Sequence, residues 1–297
     1  MKIGIWIRAF RLRTLPLALS CSVLGSFLAY SQGGFRWEIL LLAALTTLFL
    51  QILSNLANDY GDTLHGADGE HRIGPKRVTQ QGWISRPAMR RAILLFAVLA
   101  FISGSLLIFA GLKNVRQILV FFLFGGTAIA AAITYTIGKN PYGYVGLGDL
   151  FVFIFFGIMG VTGTYYLHTG NFSPWILLPA ATIGLLSSGV LNLNNMRDIE
   201  NDARSGKRTL VVRFGSKGAK VYHTVLIILS MVFSIVYTIH FYESIFQFLF
   251  ILTFPLFVMN IREVIRNNEP VELNNELKKL AISTFIFAII FGLGLVL

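Results

Sequence analysis

Two short stretches carry most of the residues able to do chemistry. The first runs Gln51-Ile52-Leu53-Ser54-Asn55-Leu56-Ala57-Asn58-Asp59-Tyr60-Gly61-Asp62. The second runs Asn194-Asn195-Met196-Arg197-Asp198-Ile199-Glu200-Asn201-Asp202. On a helix, residues four apart share a face. That spacing pairs Asn55 with Asp59 and Asn58 with Asp62, and it aligns Asn194, Asp198 and Asp202 in one stripe. Oxygen-rich stripes suit hard divalent cations. Mg²⁺ takes one or two carboxylates, keeps waters, and completes its shell with substrate phosphates. A basic run follows each stripe: Arg72, Lys76 and Arg77 after the first, then Arg204, Lys207, Arg208 and Arg213 after the second. Acids alone would bind metal. Acids backed by cations suit a metal–diphosphate, with the cations neutralising charge on a leaving group. The plainer reading is solvated helix ends and basic loops that set topology or bind anionic lipid. Two clusters with Asn-xxx-Asp spacing weigh against it.

The elements that must position these stripes are membrane helices. The chain has 297 residues, 55% hydrophobic and 13% charged; a soluble domain carries about a quarter charged residues. This composition excludes a soluble globular enzyme and a disordered chain. The single cysteine, Cys21, excludes an intramolecular disulfide framework and a Cys-rich zinc site. A span needs roughly 20 mostly apolar residues. Nine stretches qualify: about 15–32, 38–57, 91–112, 116–137, 148–168, 174–195, 221–241, 244–261 and 279–297. In lipid such spans must be helical, because the backbone has no water to bond. Only His240 to Glu243 separates the seventh from the eighth. Met1 to Arg13 is basic and amphipathic and reads as an interfacial helix rather than a signal peptide. The expected fold is all-α and polytopic, a single domain over 1–297.

The charges then divide. With nine spans, 22 of the 25 Lys and Arg fall on one side; Arg36, Lys113 and Arg116 fall on the other. Basic short loops stay in the cytoplasm. The N-terminus is expected inside and the C-terminus outside, with both acidic stripes on the cytoplasmic face. The net charge of +11 is therefore mostly topology and not a nucleic-acid footprint. Asn55, Asn58, Asn192, Asn194 and Asn195 lie in apolar runs, where an amide is expensive unless it faces a polar cavity.

At these residues the sequence resembles the UbiA superfamily of intramembrane prenyltransferases, whose two Asp-rich motifs follow the second and sixth of nine helices. The closer likeness is to its 1,4-dihydroxy-2-naphthoate polyprenyltransferase branch, in menaquinone biosynthesis. It rests on Gln51 to Asp62, Gly66-Ala67-Asp68, Arg72-Ile73-Gly74-Pro75, Tyr135-Thr136-Ile137-Gly138, Gly146-Leu147-Gly148-Asp149, Asn194 to Asp202 and Gly206 to Arg213. The commoner first motif of the superfamily has a third Asp where this chain has Gly66, and Asp68 stands two residues later. This favours the naphthoate branch.

The resemblance implies nine helices around a central active-site cavity in the bacterial inner membrane. The implied reaction moves a polyprenyl group from polyprenyl diphosphate to 1,4-dihydroxy-2-naphthoate, with loss of diphosphate and CO₂, giving demethylmenaquinol. Two Mg²⁺ ions would be held by Asn58, Asp62, Asn194, Asp198 and Asp202, with Asp59 and Asp68 as further ligands or behind them. Lys139, Arg77, Lys207, Arg208 and Arg72 would meet the diphosphate. Tyr135 and Tyr142, beside Lys139, would face the developing allylic cation, and Asn55 the substrate. Asp149 is read either as a positioning or proton-transfer group on the aromatic side or as a helix N-cap. Arg13 is read either as a partner for the acceptor's carboxylate or as a topology charge. Gly125, Gly126, Gly157, Gly160 and Gly163 would either open a tunnel for the prenyl tail or pack helices together. His65 and His71 read as loop residues. The alternatives are 4-hydroxybenzoate or homogentisate as acceptor, a secondary transporter, or a lipid-binding scaffold. A transporter should place its ionisable groups near the midplane, not at one face.

Overall fold

A computed structural model describes residues 3–66, 73, 74 and 76–297. Among these residues there is no strand, and nine helices are long and apolar enough to cross a membrane. The protein is a multi-pass membrane protein. An amphipathic helix α1 (Ile3–Phe10) meets α2 (Leu15–Tyr30) through one turn at Leu12–Thr14, and together they make the first span. Then come α3 (Trp37–Leu64), α4 (Arg86–Gly111), α5 (Val115–Thr134), α6 (Gly148–Thr169) and α7 (Pro174–Arg197). A short α8 (Ile199–Arg204) follows, then α9 (Leu210–His240), α10 (Ile245–Arg266) and α11 (Pro270–Val296).

Local chemistry sets the boundaries. Ser85, Asn114, Thr209 and Ser244 each cap a helix by accepting an N–H of its first turn, a preference that follows from the unpaired amides there. The Ser244 cap confirms the narrow break after His240. Three spans begin earlier than their apolar runs suggest: α4 at Arg86 rather than 91, α9 at Leu210 rather than 221, and α11 at Pro270 rather than 279. Thr209 starts the α9 helix while the sequence is still basic. A break at Gly215 (φ 68°, ψ 172°) then turns it into the membrane.

Helix α7 is the hub. Every residue from Pro179 to Val190 is buried, with α6, α9 and α11 packed around it. One apolar core joins α2, α6, α7, α9, α10 and α11 through Leu24, Val161, Ile183, Ile227, Phe250 and Phe287. A second joins α1, α3 and α4 through Ala9, Leu53, Leu56 and Met89, with Val78 and Ile84 of the connection between α3 and α4. The cavity lies between these cores. Helix α5 is the outermost wall, with Ala131 its one buried residue.

The five glycines divide by role. A Cβ on Gly157 would stand 2.6 Å from the Ala180 carbonyl and 2.6 Å from Gly184 Cα, so this glycine lets α6 touch α7. Gly160 meets Cys21 at 2.8 Å and is also a packing site. Gly125 and Gly163 instead line the cavity with room to spare, and Gly126 faces open space. Gly157→Ala is expected to cost roughly 1–3 kcal/mol through overpacking, seen as a lower unfolding temperature in detergent. Gly126→Ala should leave that temperature unchanged.

Candidate active site

The two stripes meet at one end of a cavity of about 710 Å³. Helix α3 stays helical to Leu64, so Gln51, Ser54, Asn55, Asn58 and Asp62 form one wall. Helix α7 ends at Arg197, yet the Asp198 N–H still bonds the Asn194 carbonyl and the Asp202 N–H the Asp198 carbonyl. The second stripe survives this break, and Asn194, Asn195, Asp198 and Asp202 line the opposite wall.

Asp59 does not join them. One residue on a helix is about 100° of rotation, and this turns Asp59 away from the cavity face that its neighbour Asn58 occupies. Its two carboxylate oxygens accept the backbone N–H groups of Val78 and Thr79, both at 3.0 Å. This fastens the connection between α3 and α4 and carries Arg77 inward. Asn55 also has structural work: its amide donates to the Phe10 carbonyl at 2.9 Å and to Thr14 at 3.1 Å, tying α1 and α2 to α3. Asp68 and Arg72 lie outside the described residues.

Asp62 is nearly fully buried and is met by three donors. Arg77 ion-pairs with Oδ2, Lys207 with Oδ1 at 2.8 Å, and the Tyr144 hydroxyl donates to Oδ1 at 3.0 Å. Lys207 also lies 3.9 Å from Asp202 and over the Tyr144 ring, 4.7 Å from its centre. Asp198 is held by Arg197, whose Nε reaches Oδ1 at 3.0 Å and whose Nη2 reaches Oδ2 at 2.5 Å. The same guanidinium donates to Asn194 and to Asn274 of α11, both at 2.9 Å. Burial pushes the Tyr135, Tyr142 and Tyr144 phenols above their ordinary range; negative charge from Asp149 on Tyr135 and from Asp62 on Tyr144 adds to it. All three are therefore neutral hydrogen-bond donors. Tyr142 donates a hydrogen bond to the Ala131 carbonyl at 2.9 Å and stacks on Phe151.

Three expected site residues stand elsewhere. Lys139 is exposed and off the cavity wall, because the chain turns away at Gly138 (φ 130°). Arg208 is exposed; its backbone N–H bonds the Tyr144 carbonyl at 2.8 Å while Lys207, one residue earlier, points in. Asp149 is buried behind the wall, near Tyr222 of α9. It is not the N-cap either, since that position is Leu147. Three others were not singled out from sequence: Arg197, Tyr144 and Arg11. Arg11 lines the cavity with Arg13, at the one non-glycine residue with positive φ (52°) among those described.

Below the stripes the wall turns apolar. Leu107, Phe121, Phe124, Phe155, Phe156 and Met159 continue the cavity to Phe172 near the other end. Much of this wall comes from Phe153–Thr162, where α6 is wound as a π-helix. The oxygen donors fit Mg²⁺ chemically. Among the described residues no three carboxylate, His or Cys groups are placed to hold an ion by themselves.

An acidic, cation-backed mouth on a long apolar shaft inside a membrane bundle defines an enzyme that handles lipid diphosphates. The chain belongs to the UbiA prenyltransferase family, which it matches over residues 18–293. It is 43% identical to a 1,4-dihydroxy-2-naphthoate octaprenyltransferase of Haemophilus influenzae, over 100% of this chain and 97% of that protein. It is 42% identical to the protein of that name in Escherichia coli, over 98% and 95%. Among solved structures, a UbiA homologue of Aeropyrum pernix shares the fold at TM-score 0.68 and 18% identity, covering 100% of this chain and 98% of that one. A UbiA homologue of Archaeoglobus fulgidus bound to DMAPP and Mg²⁺ does so at 0.63 and 16%, covering 98% of each.

Proposed function

We propose that this protein transfers a polyprenyl group from polyprenyl diphosphate to 1,4-dihydroxy-2-naphthoate, releasing diphosphate and CO₂ and giving demethylmenaquinol. The observation that carries the reading is the single cavity joining the Asp62, Asp198 and Asp202 mouth to an apolar shaft. The choice of acceptor rests on the naphthoate enzymes at 43% and 42% identity. The whole chain acts as one domain in the bacterial inner membrane, with the N-terminus and the mouth on the cytoplasmic side.

Two Mg²⁺ ions, held by Asn58, Asp62, Asn194, Asp198 and Asp202, would neutralise the diphosphate when bound. Arg77 and Lys207 already stand beside Asp62 and meet the departing charge. The allylic C–O bond breaks with its electron pair on the diphosphate. Neutral Tyr135 and Tyr142, and below them Phe151 and Phe155, present aromatic surface to the allylic cation. The ring carbon bearing the carboxylate attacks, and the C–COO⁻ pair returns to the ring as CO₂ leaves. No net proton is consumed by this exchange.

The acceptor's carboxylate falls to Arg13 and Arg11, on the elbow between α1 and α2. Arg13→Ala is expected to raise the acceptor KM about tenfold, the scale of one charged hydrogen bond, with the prenyl diphosphate KM unchanged. Steady-state kinetics with each substrate varied in turn checks this.

The reading is tested in detergent with Mg²⁺, a polyprenyl diphosphate and, separately, the naphthoate, 4-hydroxybenzoate and homogentisate. Product from the naphthoate alone is expected. Transfer to a different acceptor would replace the naphthoate; transfer to none would remove the reading.

A further inference from the structure

Lys207 differs from the basic residues around it. Arg204 and Arg208 face solvent, whereas the Lys207 side chain is only 13% exposed. Its ammonium lies 2.8 Å from Asp62, 3.9 Å from Asp202 and 4.7 Å from the centre of the Tyr144 ring. The two carboxylates are also proposed metal ligands. The ring is a contact that no metal competes for. A cation over an aromatic face is attracted by the ring quadrupole. An ammonium has three donors, and a ring beside it leaves donors free for phosphate oxygens.

Tyr144 is itself fixed, and by the segment that carries Lys207. Its turn, Tyr142–Val145, docks on residues 208–213. The Arg208 N–H donates to the Tyr144 carbonyl at 2.8 Å, and Arg213 Nη2 donates to the Val145 carbonyl at 2.8 Å. Gly146 (φ 81°) permits the approach, since a Cβ there would stand 2.8 Å from the Arg208 carbonyl. Towards α3, the Tyr144 hydroxyl donates to Asp62 at 3.0 Å, and the His65 ring packs on the Tyr144 ring with centroids 5.2 Å apart. Tyr144 therefore touches both walls of the mouth: α3 through Asp62 and His65, and the loop after α8 through Lys207 and Arg208. A backbone hydrogen bond beside the lysine keeps ring and ammonium in register.

We propose that Tyr144 is a positioning residue for Lys207, its ring holding the ammonium in the mouth as a diphosphate ligand when Asp62 serves the metal. The inference rests on the diphosphate chemistry proposed above. Hydroxyl and ring have separable parts: the hydroxyl serves Asp62 and the ring serves Lys207. Without the ring, a long and flexible side chain must lose its rotamer freedom each time it meets a diphosphate. Weaker diphosphate binding follows, while the acceptor site at Arg11 and Arg13 is untouched.

The test reads binding without turnover. Isothermal titration calorimetry follows farnesyl thiodiphosphate, a slowly cleaved analogue, entering the full-length protein in detergent with Mg²⁺. Tyr144→Leu should bind it about tenfold more weakly, the scale of a partly desolvated cation–π contact. Tyr144→Phe should recover most of that loss, because the ring returns. Mono-, di- and trifluorophenylalanine at position 144 keep the shape and drain the π face, so affinity should fall stepwise along the series. On a Lys207→Met background, Tyr144→Leu should cost no more than about twofold, since residues that act through one contact are not additive. Steady-state kinetics should show the acceptor KM unchanged in Tyr144→Leu. Thermal unfolding checks that each variant is folded; should Tyr144→Leu not fold, the fluorinated series decides the matter. Wild-type affinity in Tyr144→Leu, a flat fluorinated series, or losses that multiply in the double variant would overturn the role of the ring and leave prenyl transfer standing. A wild type that does not bind the analogue at all is a different result: it removes the underlying reading and the role of Tyr144 with it.

Discussion

Asp62→Asn and Asp198→Asn will each lose at least about a thousandfold in kcat/KM for prenyl transfer, the upper range for removing one electrostatic contact at a reacting centre. Asn keeps the volume of Asp and removes its charge, so packing is not the cause. Asp62 is the shared acceptor for Arg77, Lys207 and Tyr144. Without its charge, Arg77 and Lys207 each lose an ion-pair partner, and the metal would lose a hard ligand. Asp198 sits across the cavity with both oxygens on Arg197, so its loss removes the facing half of the site. Raising Mg²⁺ should recover little of the activity in either variant, and excess EDTA should silence the wild type. Asp59→Asn is the contrast. Its carboxylate serves the Val78 and Thr79 amides, so stability should fall more than turnover per folded molecule. A product assay over a Mg²⁺ series measures all three. Wild-type rates in Asp62→Asn or Asp198→Asn, or in EDTA, would sink the metal–diphosphate mechanism.

The largest loss of stability is expected from Arg197→Met. Arg197 is 1% exposed and is the largest fully buried side chain among those described. It neutralises Asp198, orients Asn194 and reaches Asn274, so it ties the second stripe to the start of α11. Methionine fills much of the space and leaves a buried carboxylate without this partner. Breaking one half of a buried ion pair costs about 3–5 kcal/mol. Arg197→Lys keeps a charge but not the planar fork, which here serves three acceptors, and should recover less than half of that. The measurement is thermal unfolding in detergent at a fixed scan rate, because membrane proteins of this size commonly unfold irreversibly. A wild-type unfolding temperature in Arg197→Met would show that the pair is dispensable to the fold.

Much of this was legible beforehand because membrane physics is strict. Nine apolar runs and a one-sided distribution of Lys and Arg leave few arrangements, and the i, i+4 spacing at Asn58/Asp62 and Asn194/Asp198/Asp202 predicts a shared face whatever surrounds the helix. Phase within a turn was harder. Asp59 and Asp62 look alike as letters, and only the packing of Val78 and Thr79 against α3 separates a loop fastener from a cavity acid. Lys139 stands off the wall because a single positive-φ glycine redirects the chain. Arg197 reads as one more basic residue at a cytoplasmic helix end; its inward turn depends on Asn274, 77 residues away. The π-wound stretch Phe153–Thr162 leaves no periodic mark, since its residues are apolar all round.

The polarity gradient along the cavity has a thermodynamic consequence for traffic. Its mouth belongs to water and its shaft to hydrocarbon, so the bundle is a contact between two solvents that otherwise do not mix. The acceptor arrives as an anion and leaves without its carboxylate, coupled to a chain that only lipid dissolves. The diphosphate arrives anchored by that chain and leaves as a free, highly charged ion that only water dissolves. The prenylated product and the diphosphate are thus driven into different phases while CO₂ escapes, and the reverse reaction would need all three to be drawn back to one place. Phase separation of the products helps to give the reaction its direction.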